Sequence, residues 1–126
     1  MRIKYDFDLE LELKARDIIN TLGMKHVRLD NVTCMRSRDS SAKNTIARCH
    51  ALSRIWQKVL NTKAQYIIEV ISENFDNLSK EDQEKTILHE ILHIPKAFGG
   101  GFKHHSNWVT EDRVNNLYRK YKKLKD

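Results

Sequence analysis

Residues 89–93 read His89-Glu90-Ile91-Leu92-His93, which is an HExxH motif. Histidines four positions apart lie on the same face of an α-helix, one turn apart, so both imidazoles can reach one metal ion. Zn²⁺ binds imidazole nitrogen well, and a glutamate beside the first ligand can accept a proton from a metal-activated water. The motif therefore predicts His89 and His93 as metal ligands and Glu90 as a general base.

The residues around the motif predict a buried helix over residues 80–94. Ser79 is a suitable N-cap, and Pro95 ends the helix because the residue before a proline avoids the α region. Polar side chains inside such a helix are costly unless they are paired, and a metal with its water would supply the partners. The alternative is a core helix whose polar residues are satisfied by other protein groups. Apolar side chains cover most of its circumference: Ile87, Leu88, Ile91, Leu92 and Ile94.

A catalytic zinc site needs a third protein ligand, and the segment after the motif offers candidates. Three of the four glycines stand together at 99–101 and permit a tight reversal of the chain toward the metal. His104 and His105 follow, whereas the HExxHxxGxxH arrangement is excluded because position 99 is glycine. His105 is the favoured third ligand. His104 and Glu111 remain alternatives, since a helix-borne glutamate can also complete a zinc site.

Periodicity and β-branched content predict an α+β fold with a small mixed or antiparallel sheet, formed by residues 1–126 as a single domain. Either the strand that ends near Ser72 or the one at 45–52 could be an edge strand that pairs with an extended peptide. The predicted elements are a helix over 8–22, extended segments over 26–36 and 45–52, a short helix or turn over 54–60, a strand over 66–72, the HExxH helix and an amphipathic C-terminal helix.

The chain carries 23 Lys and Arg against 17 Asp and Glu, a net charge of +6. We interpret the basic face of the C-terminal helix as a solvated surface, and nucleic-acid binding is the alternative interpretation. There is no apolar run long enough to span a membrane, and the start is too charged for a signal peptide, so we expect a cytoplasmic protein. The basic residues crowd the last eight positions: Arg119, Lys120, Lys122, Lys123 and Lys125.

The two cysteines, Cys34 and Cys49, form no CxxC pair, so a second, structural zinc site has little support. The favoured interpretation is two buried, reduced thiols. The two residues could nevertheless lie close together if their extended segments paired as a hairpin.

Four stretches of the chain can be compared with known families, namely 34–40, 66–79, 89–95 and 98–105. Together they resemble a metallopeptidase family found in archaea and phages, and the resemblance runs from about residue 26 to about residue 121. It implies a minimal zincin-like fold and a peptidase. The family pattern has one histidine at the end of its glycine-containing run, which matches His105. A more distant similarity to the very small, thermolysin-like minigluzincins implies Glu111 as the third ligand.

Together these features predict a zinc metallopeptidase that hydrolyses peptide or protein substrates through a zinc-activated water, with Glu90 as the base. A further donor to the oxyanion could be His104, Arg113 or Tyr118, although Tyr118 is better explained as a core residue. Two alternatives stay open. One is a DNA-associated metalloprotease or metal-dependent nuclease that uses the basic C-terminal face. The other is a latent or non-catalytic zinc-binding protein whose cleft is blocked by the C-terminal segment.

Overall fold

The computed structural model describes residues 2–103, 105 and 108–126. Within them lie four strands and five α-helices. No helix in these ranges is long and apolar enough to cross a membrane. The elements in chain order are β1 (Lys4–Phe7), α1 (Leu9–Thr21), a 3₁₀ turn (Leu29–Asn31), β2 (Val32–Arg38), β3 (Ala47–Ala51), α2 (Arg54–Leu60), β4 (Tyr66–Ile71), α3 (Ser72–Phe75), α4 (Lys80–Ile91) and α5 (Glu111–Lys125).

The strands form one mixed sheet in the order β1-β2-β4-β3. The pairs β1–β2 and β3–β4 are antiparallel, whereas β2 and β4 are parallel. The α+β class and the small mixed sheet are therefore confirmed. β4 lies between β2 and β3, so the two extended segments do not pair as a hairpin. Cys34 and Cys49 instead flank Ile68 from opposite sides, and both are free thiols.

The core lies between one face of the sheet and three helices. α4 packs on β3 and β4 and contacts α1 and α5, which also contact each other. The opposite face of the sheet carries exposed side chains, among them Tyr5, Phe7 and Ile67. The largest contributions from β4 and α4 to the core are Tyr66, Ile68, Val70, Ile87, Leu88 and Ile91.

Helix α4 ends at Ile91, three residues earlier than the sequence predicts. The amide of His93 donates to the carbonyl of Glu90 at 3.2 Å, and that of Ile94 donates to Ile91 at 3.0 Å. These bonds span three residues and belong to a 3₁₀ turn, which tightens the end of the helix. Pro95 explains the early end, because a proline has no amide to bond the carbonyl four residues before it, here that of Ile91, and its ring clashes with that carbonyl. His93 therefore lies in a tight turn just beyond α4.

Candidate metal centre

Helix α4, its terminal turn and the glycine-containing loop bring three histidines together. One ring nitrogen from each of His89, His93 and His105 lies within 4.8 Å of the other two. The Nε2 atoms of His89 and His105 are 3.0 Å apart. The structure thus places the two histidines of the motif beside the favoured third ligand, His105, which follows the glycine-containing loop.

The donor set and its spacing fit a zinc ion. Two nitrogens bound to one tetrahedral Zn²⁺ at about 2.0–2.1 Å are separated by about 3.3 Å, close to the distance between His89 and His105. Burial, together with the neighbouring His93 and His105, lowers the pKa of His89 to about 4. At neutral pH this imidazole is therefore neutral and keeps a lone pair for a metal. Imidazole donors suit zinc and other late divalent ions.

His93 is held by the backbone of the loop that leads to His105. Its side chain is buried, its Nδ1 lies at hydrogen-bonding distance from the carbonyl of Lys103, and its ring stacks on Phe102 with centroids 4.4 Å apart. In return, the amide of Lys103 donates to the carbonyl of His93 at 2.7 Å. A carbonyl can only accept, so Nδ1 carries the proton and Nε2 carries the lone pair of the ring.

Glu90 lies against the histidine group without belonging to it. Its carboxylate oxygens are 3.9 Å from Nε2 of His89 and 3.8 Å from Nε2 of His93. The residue is only 6 % exposed, and burial raises the pKa of its carboxyl to about 7. A desolvated carboxyl beside two candidate ligand nitrogens is well placed to exchange a proton with a water at the metal.

The glycine loop needs its glycine at position 100. Gly100 has a φ of +104°, and an added Cβ would lie 2.6 Å from Nε2 of Gln57 and 2.7 Å from the carbonyl oxygen of Leu52. Any side chain here would displace both groups and strain the backbone. Gln57 also donates to the carbonyl of Gly99 at 3.1 Å, so α2 contacts the loop directly.

Tyr66, the first residue of β4, holds the same loop by hydrogen bonds. Its hydroxyl donates to the carbonyl of Gly101 at 2.8 Å and accepts from the amide of Gly100 at 3.0 Å. The ring is fully buried. Sequence reasoning missed Tyr66 and Gln57 as supports of the site, because no spacing pattern connects them with a loop more than thirty residues away.

We expect Tyr66→Phe to weaken zinc binding by about 10- to 100-fold, since indirect supports of metal ligands contribute on that scale. The substitution removes both hydrogen bonds to the loop but retains the buried ring. Competition with a chromophoric chelator would measure the affinity. Tyr121→Phe is the matched control, because its hydroxyl bonds Asp17 and not the loop. It should lower thermal stability and leave zinc affinity unchanged, and equal affinities in all three proteins would contradict a positioning role for Tyr66.

A cleft of about 700 Å³ opens beside His89 and Glu90, between the start of β3, helix α4 and the start of α5. β3 is an edge strand, whereas β4 is paired on both sides, so the structure distinguishes between the two candidate edge strands. Glu111 lies in the first turn of α5 and lines the cleft, but it is not part of the ligand group found among the described residues. His104 falls outside those residues.

The other candidate donors are engaged elsewhere. The hydroxyl of Tyr118 donates to Glu84 at 2.7 Å within the core, as the sequence interpretation favoured. The guanidinium of Arg113 lies 4.0 Å from the ring centroid of Trp108. Neither contact directs these side chains to the histidine group.

Comparisons with known proteins agree with this geometry at the level of the family. Searches of curated proteins and of solved structures gave no significant match. A family model described as "Putative phage metallopeptidase" matches residues 5–124, which extends the resemblance through α1 and almost to the end of α5. The chain therefore belongs to this phage metallopeptidase family.

Proposed function

We propose that this protein is a zinc-dependent metallopeptidase of the HExxH type, in which His89, His93 and His105 hold the metal and Glu90 is the general base. The observation that carries the proposal is the convergence of three histidine nitrogens within 4.8 Å beside a buried carboxylate that stays outside the ligand group. A site with three protein donors leaves a position free for water, as hydrolysis requires.

When bound, zinc would acidify water and polarise the substrate carbonyl. Glu90 accepts the proton of the attacking water while the water oxygen bonds to the peptide carbonyl carbon. The same carboxyl then delivers that proton to the leaving nitrogen as the carbon–nitrogen bond breaks. His93, with Nδ1 committed to Lys103, keeps a fixed ring orientation during these transfers.

The free edge of β3 supports a peptide as the substrate. The carbonyl of Ile46 accepts from the amide of Ile71, and the amide of Leu52 donates to the carbonyl of Gln65. The even-numbered residues of 46–52 therefore direct their backbone hydrogen bonds to β4. The alternation of a strand then directs the backbone groups of residues 47, 49 and 51 outward. Residue 47 lines the cleft, so an extended peptide paired with this edge would enter the space beside Glu90.

Removal and return of the metal test the proposal. We expect a chelator to abolish hydrolysis of an unstructured reporter peptide and an equimolar amount of Zn²⁺ to restore it. Metal content should be measured by atomic emission in the same samples, with zinc-containing buffer alone as the blank. Peptide hydrolysis by protein shown to be metal-free would contradict a metal-dependent mechanism.

Two observations bear on the alternatives. The cleft opens onto His89 and Glu90, which supports an accessible site over a latent one. Within the basic C-terminal face, Lys125 pairs with Asp17 at 2.9 Å, which supports a structural role for part of that charge. The single-domain organisation, the peptide substrate and the cytoplasmic location stay predictions.

A further inference from the structure

Helix α2 directs its apolar side chains away from the protein. Ile55, Trp56, Val59 and Leu60 share one face at helical spacing, and each remains 56 to 74 % exposed. Gln57, on the other side, bonds the carbonyls of Leu52 and Gly99 in the body of the fold. Helices of this kind normally bury the apolar face and expose the polar one. We refer to these four residues as the outer face of α2; a patch of this kind marks an interaction site.

The charge around this face indicates the chemical character of the partner that would bind it. Residues 40–68 contain no Asp or Glu, whereas five Lys and Arg residues occur there. Arg54 and Lys58 belong to α2 itself, and Lys63 follows shortly after. A partner that covers the outer face must therefore be apolar and acidic. A second copy of the chain is disfavoured, because it would bring the same cations together around the contact.

The neighbouring strand identifies the partner as a polypeptide. α2 begins three residues after the last residue of β3, whose outward amides and carbonyls form a free edge. A lipid surface that covered α2 would also cover this edge, and lipid tails cannot satisfy backbone hydrogen bonds. An extended polypeptide can pair with the edge and then place its side chains on α2.

We propose that the outer face of α2 is a docking surface for an acidic polypeptide segment with large apolar side chains, continuous with the peptide-binding edge of β3. The inference rests on the proposed function, because the docked segment is part of the substrate. It assigns the substrate class: proteins in which an acidic, apolar stretch lies a few residues from the scissile bond. Trp56 is the expected anchor, since buried tryptophans dominate many interfaces.

Binding can be measured without turnover in the zinc-loaded Glu90→Gln protein. The probes are fluorescein-labelled 20-residue peptides: one of leucine and glutamate, one of leucine and lysine, and one of serine and glutamate. Fluorescence anisotropy should give an affinity for the Leu/Glu peptide at least about tenfold above the other two, a difference of about 1.4 kcal/mol. Equal affinities for all three peptides would overturn the proposal.

Substitutions locate the contact. Trp56→Ser and Leu60→Ser should each weaken binding of the Leu/Glu peptide by about tenfold or more, on the scale of interface anchors. Leu124→Ser is the matched control, because Leu124 on α5 is 55 % exposed and Leu60 is 56 % exposed. Unchanged binding in the α2 variants would overturn the proposal, and so would a Trp56-dependent dimer or preferential binding of vesicles of phosphatidylcholine and phosphatidylglycerol.

Cleavage of the same peptides by the zinc-loaded wild-type protein separates the two proposals. If the Leu/Glu peptide binds through α2 and no peptide is cleaved, the proposed hydrolysis and the substrate class fail, whereas the docking surface for an acidic polypeptide stands. If peptides are cleaved and the α2 substitutions change neither binding nor kcat/KM, the docking surface fails and the hydrolysis stands.

Discussion

Replacement of Glu90 by Gln is expected to reduce peptide hydrolysis by about 10²- to 10⁴-fold, the usual contribution of a general base, while zinc binding is retained. The amide has nearly the same shape as the carboxyl but cannot accept the water proton. Since Glu90 is outside the ligand group, the metal should remain. Because burial disfavours the charged carboxylate, the neutral amide should not destabilise the fold. Initial rates and zinc content, measured on the same preparation, give the two readouts.

Glu84→Gln provides a matched control on the same helix. Glu84 is also buried, but it pairs with Lys14 at 2.8 Å and with the hydroxyl of Tyr118 at 2.7 Å. Its substitution should lower Tm, because it leaves a buried network with a weaker acceptor, and should leave turnover per folded molecule unchanged. Wild-type hydrolysis by Glu90→Gln, or an equal loss in both variants, would contradict the role of Glu90 as the base.

The second large effect concerns the third ligand. His105→Ala should weaken zinc binding by more than about 100-fold, beyond the range seen for indirect supports of metal ligands. The imidazole of His105 is 3.0 Å from that of His89, and its removal leaves only two protein donors in the group. Competition with a chromophoric chelator measures the affinity directly, without reference to activity.

Two further variants make this experiment specific. Glu111→Gln should bind zinc as wild type does, because Glu111 lines the cleft but is not part of the ligand group. His104→Ala should also retain affinity if His105 is the ligand. A loss of zinc in Glu111→Gln, with His105→Ala unaffected, would instead indicate a thermolysin-like ligand set.

The local features of α4 could be predicted because short-range chemistry determines them. Ser79 caps the helix by accepting from the amide of Asp82 at 3.1 Å. The apolar residues around the motif are buried, as their spacing predicted. The geometry of His89, Glu90 and His93 follows from a spacing of three and four residues on one helix and its terminal turn. Zinc binding and catalysis themselves stay predictions.

The sheet order could not be predicted from local patterns. β1 alternates polar and apolar residues over Lys4–Phe7, but it is only four residues long and fully exposed, and the sequence interpretation did not identify it as a strand. β4 lies between β2 and β3, and five of its six residues are buried, but burial does not specify its neighbours. The supports supplied by Tyr66 and Gln57 were missed for the same reason: each acts across a contact that is distant in the chain.

The central place of β4 has a consequence for how the protein is made. β3 has no pairing partner among the described strands except β4, so it cannot form a ladder until residues 66–71 have been synthesised. More than half of the 126-residue chain must then have been translated. The chain between β3 and β4 must be closed into a loop before the two strands can pair, and this closure costs conformational entropy. A sheet assembled through such longer connections folds more slowly than a hairpin. The outward edge of β3 is therefore absent from the early nascent chain and cannot form before β4 is available to pair with it.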